Sequence, residues 1–280
     1  MRFISVIAVL VLVSCGGSSD TGPSMTVGTD FDVTGIVKPL PADAAPPEQQ
    51  VFRYLAYEPN SLDMTMLIYE SGGSPFVHER LALLDHEQNL VPGVADSWEG
   101  SEDAMTWTFH IHPGSKWSDG RPLTAHDFEY SFKRMLDPDS GNVYAFFYYD
   151  IKGVKAFNQR ENPDPGSIGI RAVDDLTLVI ETEKACAYLP HILQFPTSAP
   201  VPRWQVEKFG TRWTEAGNFV GSAVYTLDEW ITGKYMSFKL NPYYSGNNPT
   251  YLRKVIRVFN ASTGAATAGS TMDVMAYDNN

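Results

Sequence analysis

Apolar and polar positions alternate most sharply between residues 106 and 112. Trp107, Phe109 and Ile111 interleave with Thr106, Thr108, His110 and His112. A period of two buries one set of side chains and wets the other, so the pattern predicts a strand. Pro113-Gly114 closes it, and Asp119-Gly120 with Pro122 marks the next turn. The period then changes. Phe128, Phe132 and Met135 fall at i, i+4 and i+7, which predicts a helix with one face on a core. Thr124 is its N-cap, Asp127 its capping-box partner, and Pro138 its stop.

Weaker patterns fill in the rest. Residues 51–55 read as a strand. Residues 168–171 and 176–181 read as a hairpin around Asp174-Asp175, with Leu176, Leu178 and Ile180 on one face. A helix is expected over 204–209, a second hairpin over 225–240 turning at Thr232-Gly233, and a last strand over 254–259. There is no internal repeat. Strands and helices mixed without strict alternation predict an α/β (mixed α+β) fold.

The N-terminus has a different character. Arg2 precedes an apolar run, Phe3 to Val13, broken only by Ser5. That is the layout of a secretory signal and too short for a membrane span. Leu12-Val13-Ser14-Cys15 resembles the lipobox of bacterial lipoproteins, which implies a signal peptide over 1–14 and lipid attachment at Cys15. Residues 15–50, rich in Gly, Ser, Asp, Pro and Ala, form a flexible tether, and folding begins at about residue 51. No later run approaches the ~20 apolar residues of a span.

Composition narrows the function. The 280 residues carry 33 acidic and 21 basic side chains, a formal net charge of −12. That balance argues against nucleic acid as a partner, since phosphate binding needs clustered Lys and Arg. Two cysteines exclude a disulfide scaffold. The 15 Phe, 14 Tyr and 6 Trp are generous material for a core and a ligand cleft. No metal or cofactor is expected. His110 and His112 share a strand face but lack a patterned third ligand, and Glu102-Asp103 and Asp174-Asp175 read as turns. Ser71-Gly72-Gly73-Ser74 lacks the Lys and Ser/Thr of a phosphate loop.

Four blocks, in order, resemble the extracellular solute-binding proteins of family 5, the oligopeptide- and dipeptide-binding components of bacterial ABC importers. The first is Glu58-Pro59-Asn60-Ser61-Leu62-Asp63, and the second runs from Leu90-Val91-Pro92-Gly93 to Ser97-Trp98. The third and strongest comprises Trp107 to Ile111, Lys116-Trp117-Ser118-Asp119-Gly120-Arg121-Pro122 and on to Phe132. The fourth combines Val206-Glu207-Lys208-Phe209-Gly210, Trp213, Asn218-Phe219-Val220-Gly221 and Asn241-Pro242-Tyr243-Tyr244. Trp98, Trp107 and Trp117 fall in these blocks and are expected in the core. Departures include Ser222-Ala223-Val224-Tyr225 in place of an Asn-Gly motif, and Arg80-Leu81-Ala82-Leu83 where the family has its first helix.

The resemblance implies a periplasmic binding protein type II-like fold, incomplete here: residues 51–280 would be the first lobe with its inserted subdomain, the second lobe being absent. It implies capture of extended peptides by main-chain hydrogen bonds, delivery to permease subunits in the membrane, no catalytic residues, and a lipid-anchored place in the bacterial envelope, periplasmic or on the outer face of the cytoplasmic membrane. The full-length form is expected to be a monomer, and this chain alone would bind peptide weakly or not at all. The substrate-binding residues it implies are Tyr69, Glu70 and Ser71, in a segment that runs along the peptide, and Tyr144. Tyr144 heads the aromatic cluster Phe146, Phe147, Tyr148 and Tyr149, for which core packing is an equal alternative. Two other functions stay open: a secreted carbohydrate-active enzyme, suggested by acidity and aromatics, and a non-transporting envelope interaction module.

Overall fold

A computed structural model describes residues 32–66 and 76–259. Strand β1 (Val51–Ala56) leads into a 3-10 turn at Met64–Met66. A short hairpin follows, β2 (Ala82–Leu84) and β3 (Leu90–Pro92), then β4 (Ala95–Gly100), β5 (Thr106–Ile111) and helix α1 (Ala125–Leu136). Helix α2 (Val154–Asn158) precedes the hairpin β6 (Ile170–Asp174) and β7 (Thr177–Glu181). Helices α3 (Leu189–Ile192) and α4 (Arg203–Phe209) lead to β8 (Tyr225–Ile231), β9 (Tyr235–Leu240) and β10 (Lys254–Phe259).

Two four-stranded sheets organise these elements. One has the order β1-β10-β9-β8, with β1 parallel to β10 and the other pairs antiparallel. The other, β4-β5-β7-β6, is antiparallel throughout. Because β1 pairs with β10, the second sheet and its helices are an excursion between two neighbouring strands of the first. Each sheet has its own core. Phe109, Ile111, Leu178 and Ile180 meet Phe128, Phe132 and Met135 of α1 with Trp117. Trp213, Tyr225, Phe238, Val255 and Phe259 fill the core of the first sheet.

Local chemistry explains several elements. The Asp127 carboxylate accepts the Thr124 backbone N–H at 2.8 Å and its hydroxyl at 3.2 Å, fixing the first turn of α1. Gly233 turns the β8–β9 hairpin at φ +71°, a conformation glycine adopts without a Cβ clash. Asp103 accepts from Ser101 Oγ at 2.6 Å and the Met105 N–H at 3.0 Å, so this acidic residue serves a turn. Trp117 is fully buried, whereas Trp98 and Trp107 are partly buried against the same core.

Two expectations change. Leu176 does not join Leu178 and Ile180 on the buried face; it is 41% exposed. The Asp174 carboxylate accepts the Leu176 N–H at 2.8 Å and holds that residue in the turn, before β7 begins. The stretch Arg80-Leu81-Ala82-Leu83 is not a helix either. It runs into β2, whose partner β3 returns through a turn in which Asp85 accepts from the Glu87 and Asn89 N–H groups at 2.8 and 2.9 Å. The apolar run there is too short for a helical face, and the Asx turn folds it back as a hairpin.

Candidate functional site

The site grows from one turn. Asp63, 5% exposed, stands at the head of Met64–Met66. Its Oδ1 accepts from the Thr65 N–H at 3.1 Å, the Thr65 hydroxyl at 2.7 Å and Arg134 Nη1 at 2.9 Å. Its Oδ2 accepts from Arg134 Nη2 at 2.8 Å and Trp213 Nε1 at 2.9 Å. A buried carboxylate with this many donors, two of them a parallel guanidinium pair, is compensated for its lost hydration. Arg134 comes from α1 and Trp213 from the 3-10 stretch Gly210–Thr214, so Asp63 ties together both layers of the fold.

A second anchor holds the other side of the turn. Asn142 Nδ2 donates to the carbonyls of Met64 (3.4 Å) and Thr65 (3.2 Å), while its Oδ1 accepts the Tyr144 N–H at 2.9 Å. Tyr144 then packs on buried Met64 and Ala199. Its ring stacks parallel to Phe147, centroids 6.1 Å apart, and meets Phe195 at 5.1 Å. Beneath them Tyr148 and Thr197 share a hydroxyl hydrogen bond of 2.8 Å. Met66, next to Arg134 Nη2 at 3.3 Å from its sulfur, faces outward. Beside the turn lies an open cavity of about 660 Å³, whose walls include Asn60, Asp63, Met66, Arg212 and Trp230.

A buried polar cluster adjoins this framework through Leu62 and Trp213. His78 is buried edge-on to Trp213 and Phe219, with Nε2 2.9 Å from the Leu62 carbonyl. Burial pulls its pKa down to about 4. Burial pushes the neighbouring Glu79 up to about 7, against the opposing effect of hydrogen bonds from Asn248 (2.6 Å) and Tyr244 (3.1 Å). The Glu79 N–H also donates to Ser222 Oγ at 2.9 Å, so the cluster pins Glu79 both to the segment before β8 and, through Tyr244 and Asn248, to the loop after β9. His110, on β5, lies 3.8 Å from Glu99, and His112, just past the end of that strand, has Nδ1 2.9 Å from Asp96.

Of the residues expected to contact ligand, Tyr144 is the one the structure describes. Tyr69, Glu70 and Ser71 lie outside the described residues, as does Cys15. The segment expected to run along the ligand, about residues 67–71 in sequence, follows Met66 directly in the chain. Tyr144 therefore stands against the turn from which that segment departs. Asp63, Arg134, Asn142 and Phe195 were not singled out from the sequence. Asp63 closes a quoted motif, and Tyr130 and Arg134 share a helix stripe distinct from that of Phe128 and Phe132, but nothing in the sequence pairs residues 71 apart.

Comparison with known proteins places this geometry. Residues 89–279 match the middle region of the bacterial extracellular solute-binding proteins, family 5. Over 212 residues the chain is 35% identical to the periplasmic oligopeptide-binding protein OppA of Escherichia coli, covering 74% of this chain and 39% of that protein. It is 32% identical over 201 residues to the dipeptide-binding protein DppE of Bacillus subtilis, with 71% and 37% covered. Among solved structures it resembles Burkholderia pseudomallei OppA, with a TM-score of 0.70 at 31% identity over 76% of this chain and 42% of that one. The unliganded open form of the periplasmic murein tripeptide-binding protein MppA gives 0.73 at 30% identity, over 82% and 44%. The chain thus spans about two fifths of the length of these relatives. Its mixed α/β fold matches the corresponding part of the type II solute-binding-protein fold. By sequence and by fold, the chain belongs to family 5 of the bacterial extracellular solute-binding proteins.

Proposed function

We propose that this chain supplies one wall of a peptide-binding cleft in the capture component of an ABC importer. The observation that carries the reading is the doubly anchored turn at Met64–Met66, whose Met64 packs against Tyr144. Peptide capture of this kind needs extended main chain presented by a fixed scaffold, with aromatic side chains alongside. Asp63, Arg134 and Asn142 supply the fixing, and Tyr144 the aromatic contact. Tyr69, Glu70 and Ser71 are assigned to the peptide on the same reading. The relatives named above are binding proteins by description, which supports binding rather than turnover.

The same reading makes the protein exported and held on the envelope by lipid on Cys15, with a membrane permease as the recipient of the peptide; the tether expected over 15–50 is shorter than that, because Ile36 is buried in the core of the first sheet and residues 36 and 38 exchange backbone hydrogen bonds with Thr250. In its complete form it works as a monomer. Among the described residues no helix is long and apolar enough to cross a membrane. One wall gives a shallow site, so affinity falls in the millimolar range, about −4 kcal/mol. The test is a titration of the purified chain, carrying ¹³C-methyl methionine, with tetra-alanine. The Met64 and Met66 methyl resonances should shift and saturate together. Methionine spectra unchanged at roughly 10 mM peptide, ten times that dissociation constant, would overturn the reading.

A further inference from the structure

Beside Tyr144, two large apolar side chains point outward. Ala145–Tyr148 is a 3-10 turn, in which positions three apart fall on the same side. Ala145 and Tyr148 are accordingly buried, and the two residues between them face solvent: Phe146 is 56% and Phe147 40% exposed. Phe147 is backed by Tyr144 and by Phe195, whose centroid lies 5.1 Å away. Phe146 leans on Phe147 with centroids 4.4 Å apart. The surface formed by Tyr144, Phe146, Phe147 and Phe195 rests on buried Met64 and Ala199, and none of these six side chains is ionisable except the tyrosine, in a chain with a formal charge of −12.

On the peptide-binding reading above, we propose that Phe146 and Phe147 form an apolar subsite that selects peptides carrying a large apolar side chain, aromatic before aliphatic. Three features of the surface favour this occupant. It is continuous with Tyr144, the residue assigned to the ligand. It offers ring faces and edges at the spacing aromatic pairs adopt. It presents no charge to recognise an ionic side chain. Main-chain hydrogen bonds would hold any peptide, and this aromatic shelf would discriminate among them.

The test compares Ala-Phe-Ala, Ala-Lys-Ala and tri-alanine, titrated into the purified chain and into its Phe146→Ser variant. Phe146 is mostly exposed, so the variant should keep the parent's thermal transition; Phe147→Ser provides a second variant. The parent should bind Ala-Phe-Ala about tenfold tighter than tri-alanine, the scale of one aromatic contact. Phe146→Ser should erase that preference, so that Ala-Phe-Ala and tri-alanine bind alike. Equal binding of all three peptides by the parent, or an undiminished preference in both variants, overturns the subsite and leaves the peptide reading standing. Failure of every peptide to bind overturns both. Concentration-dependent dimerisation of the parent in sedimentation, lost in Phe146→Ser and without peptide preference, assigns the surface to a second copy and overturns the subsite.

Discussion

Arg134 and Asp63 lie 71 residues apart in sequence and meet through two parallel hydrogen bonds of 2.9 and 2.8 Å. The pair joins α1 to the turn at Met64–Met66, and Asp63 is nearly sealed from water. Removing the cation leaves a buried carboxylate with two of its donors gone. Arg134→Met should therefore cost about 3–5 kcal/mol of unfolding free energy in urea titrations followed by tryptophan fluorescence. A loss under about 1 kcal/mol, the range of a surface pair, would show that the clamp does not organise the turn.

His78 and Glu79 titrate against each other. His78 binds its proton at about pH 4 in the folded protein and at about 6.5 when unfolded. Between those values the unfolded chain holds more protons, so stability falls as pH drops. Glu79 releases its proton at about pH 7 when folded and about 4.5 when unfolded. There the folded chain holds more protons, so stability falls as pH rises. The two slopes overlap and oppose. Glu79→Gln removes one of them. Its stability relative to the parent should climb by about 2–3 kcal/mol between pH 4.5 and 7, at about 1.4 kcal/mol per pKa unit. A difference constant across that range in urea titrations would contradict the assignment.

Gly93 marks a close backbone approach. A Cβ there would lie 2.2 Å from the Arg80 carbonyl oxygen and 3.0 Å from that of Leu81. The neighbouring N–H groups of Gly93 and Val94 donate to those same two carbonyls, so the strands cannot part without losing both bonds. Gly93→Ala should cost at least about 1–3 kcal/mol, the range for overpacking a tight interior. Differential scanning calorimetry reads it directly; a transition unchanged from the parent would mean the segment can shift freely.

Lipid on Cys15 predicts a chemical mass and a location. The mature chain should begin at residue 15 with acyl chains attached and partition with membranes, since each buried methylene contributes about 0.8 kcal/mol. Cys15→Ser should release the chain from the membrane fraction. Intact mass spectrometry of the parent showing no lipid would remove the anchor from the account.

Local elements were legible where one short-range cause dominated. Helix α1 followed from Phe128, Phe132 and Met135 with a cap at Thr124, and β5 from strict alternation. Where a turn side chain overrode the pattern, the reading failed. Asp174 drew Leu176 out of the strand face, and Asp85 turned β2 back onto β3 as a hairpin. Of the residues that frame the Met64–Met66 turn, Tyr144 was singled out from the sequence as a candidate. Its framework is non-local: Arg134 must reach Asp63, and Phe195 must reach Tyr144, through a fold in which β1 waits for β10 to pair. Periodicity carries no information about such contacts.

Photo-crosslinking most directly tests whether this wall meets peptide. A tripeptide bearing a benzophenone side chain, irradiated with the purified chain and mapped by peptide mass spectrometry, should attach within residues 64–71 and 142–147. Excess tri-alanine should suppress the attachment. Adducts confined to other segments, or insensitive to the competing peptide, would contradict the account.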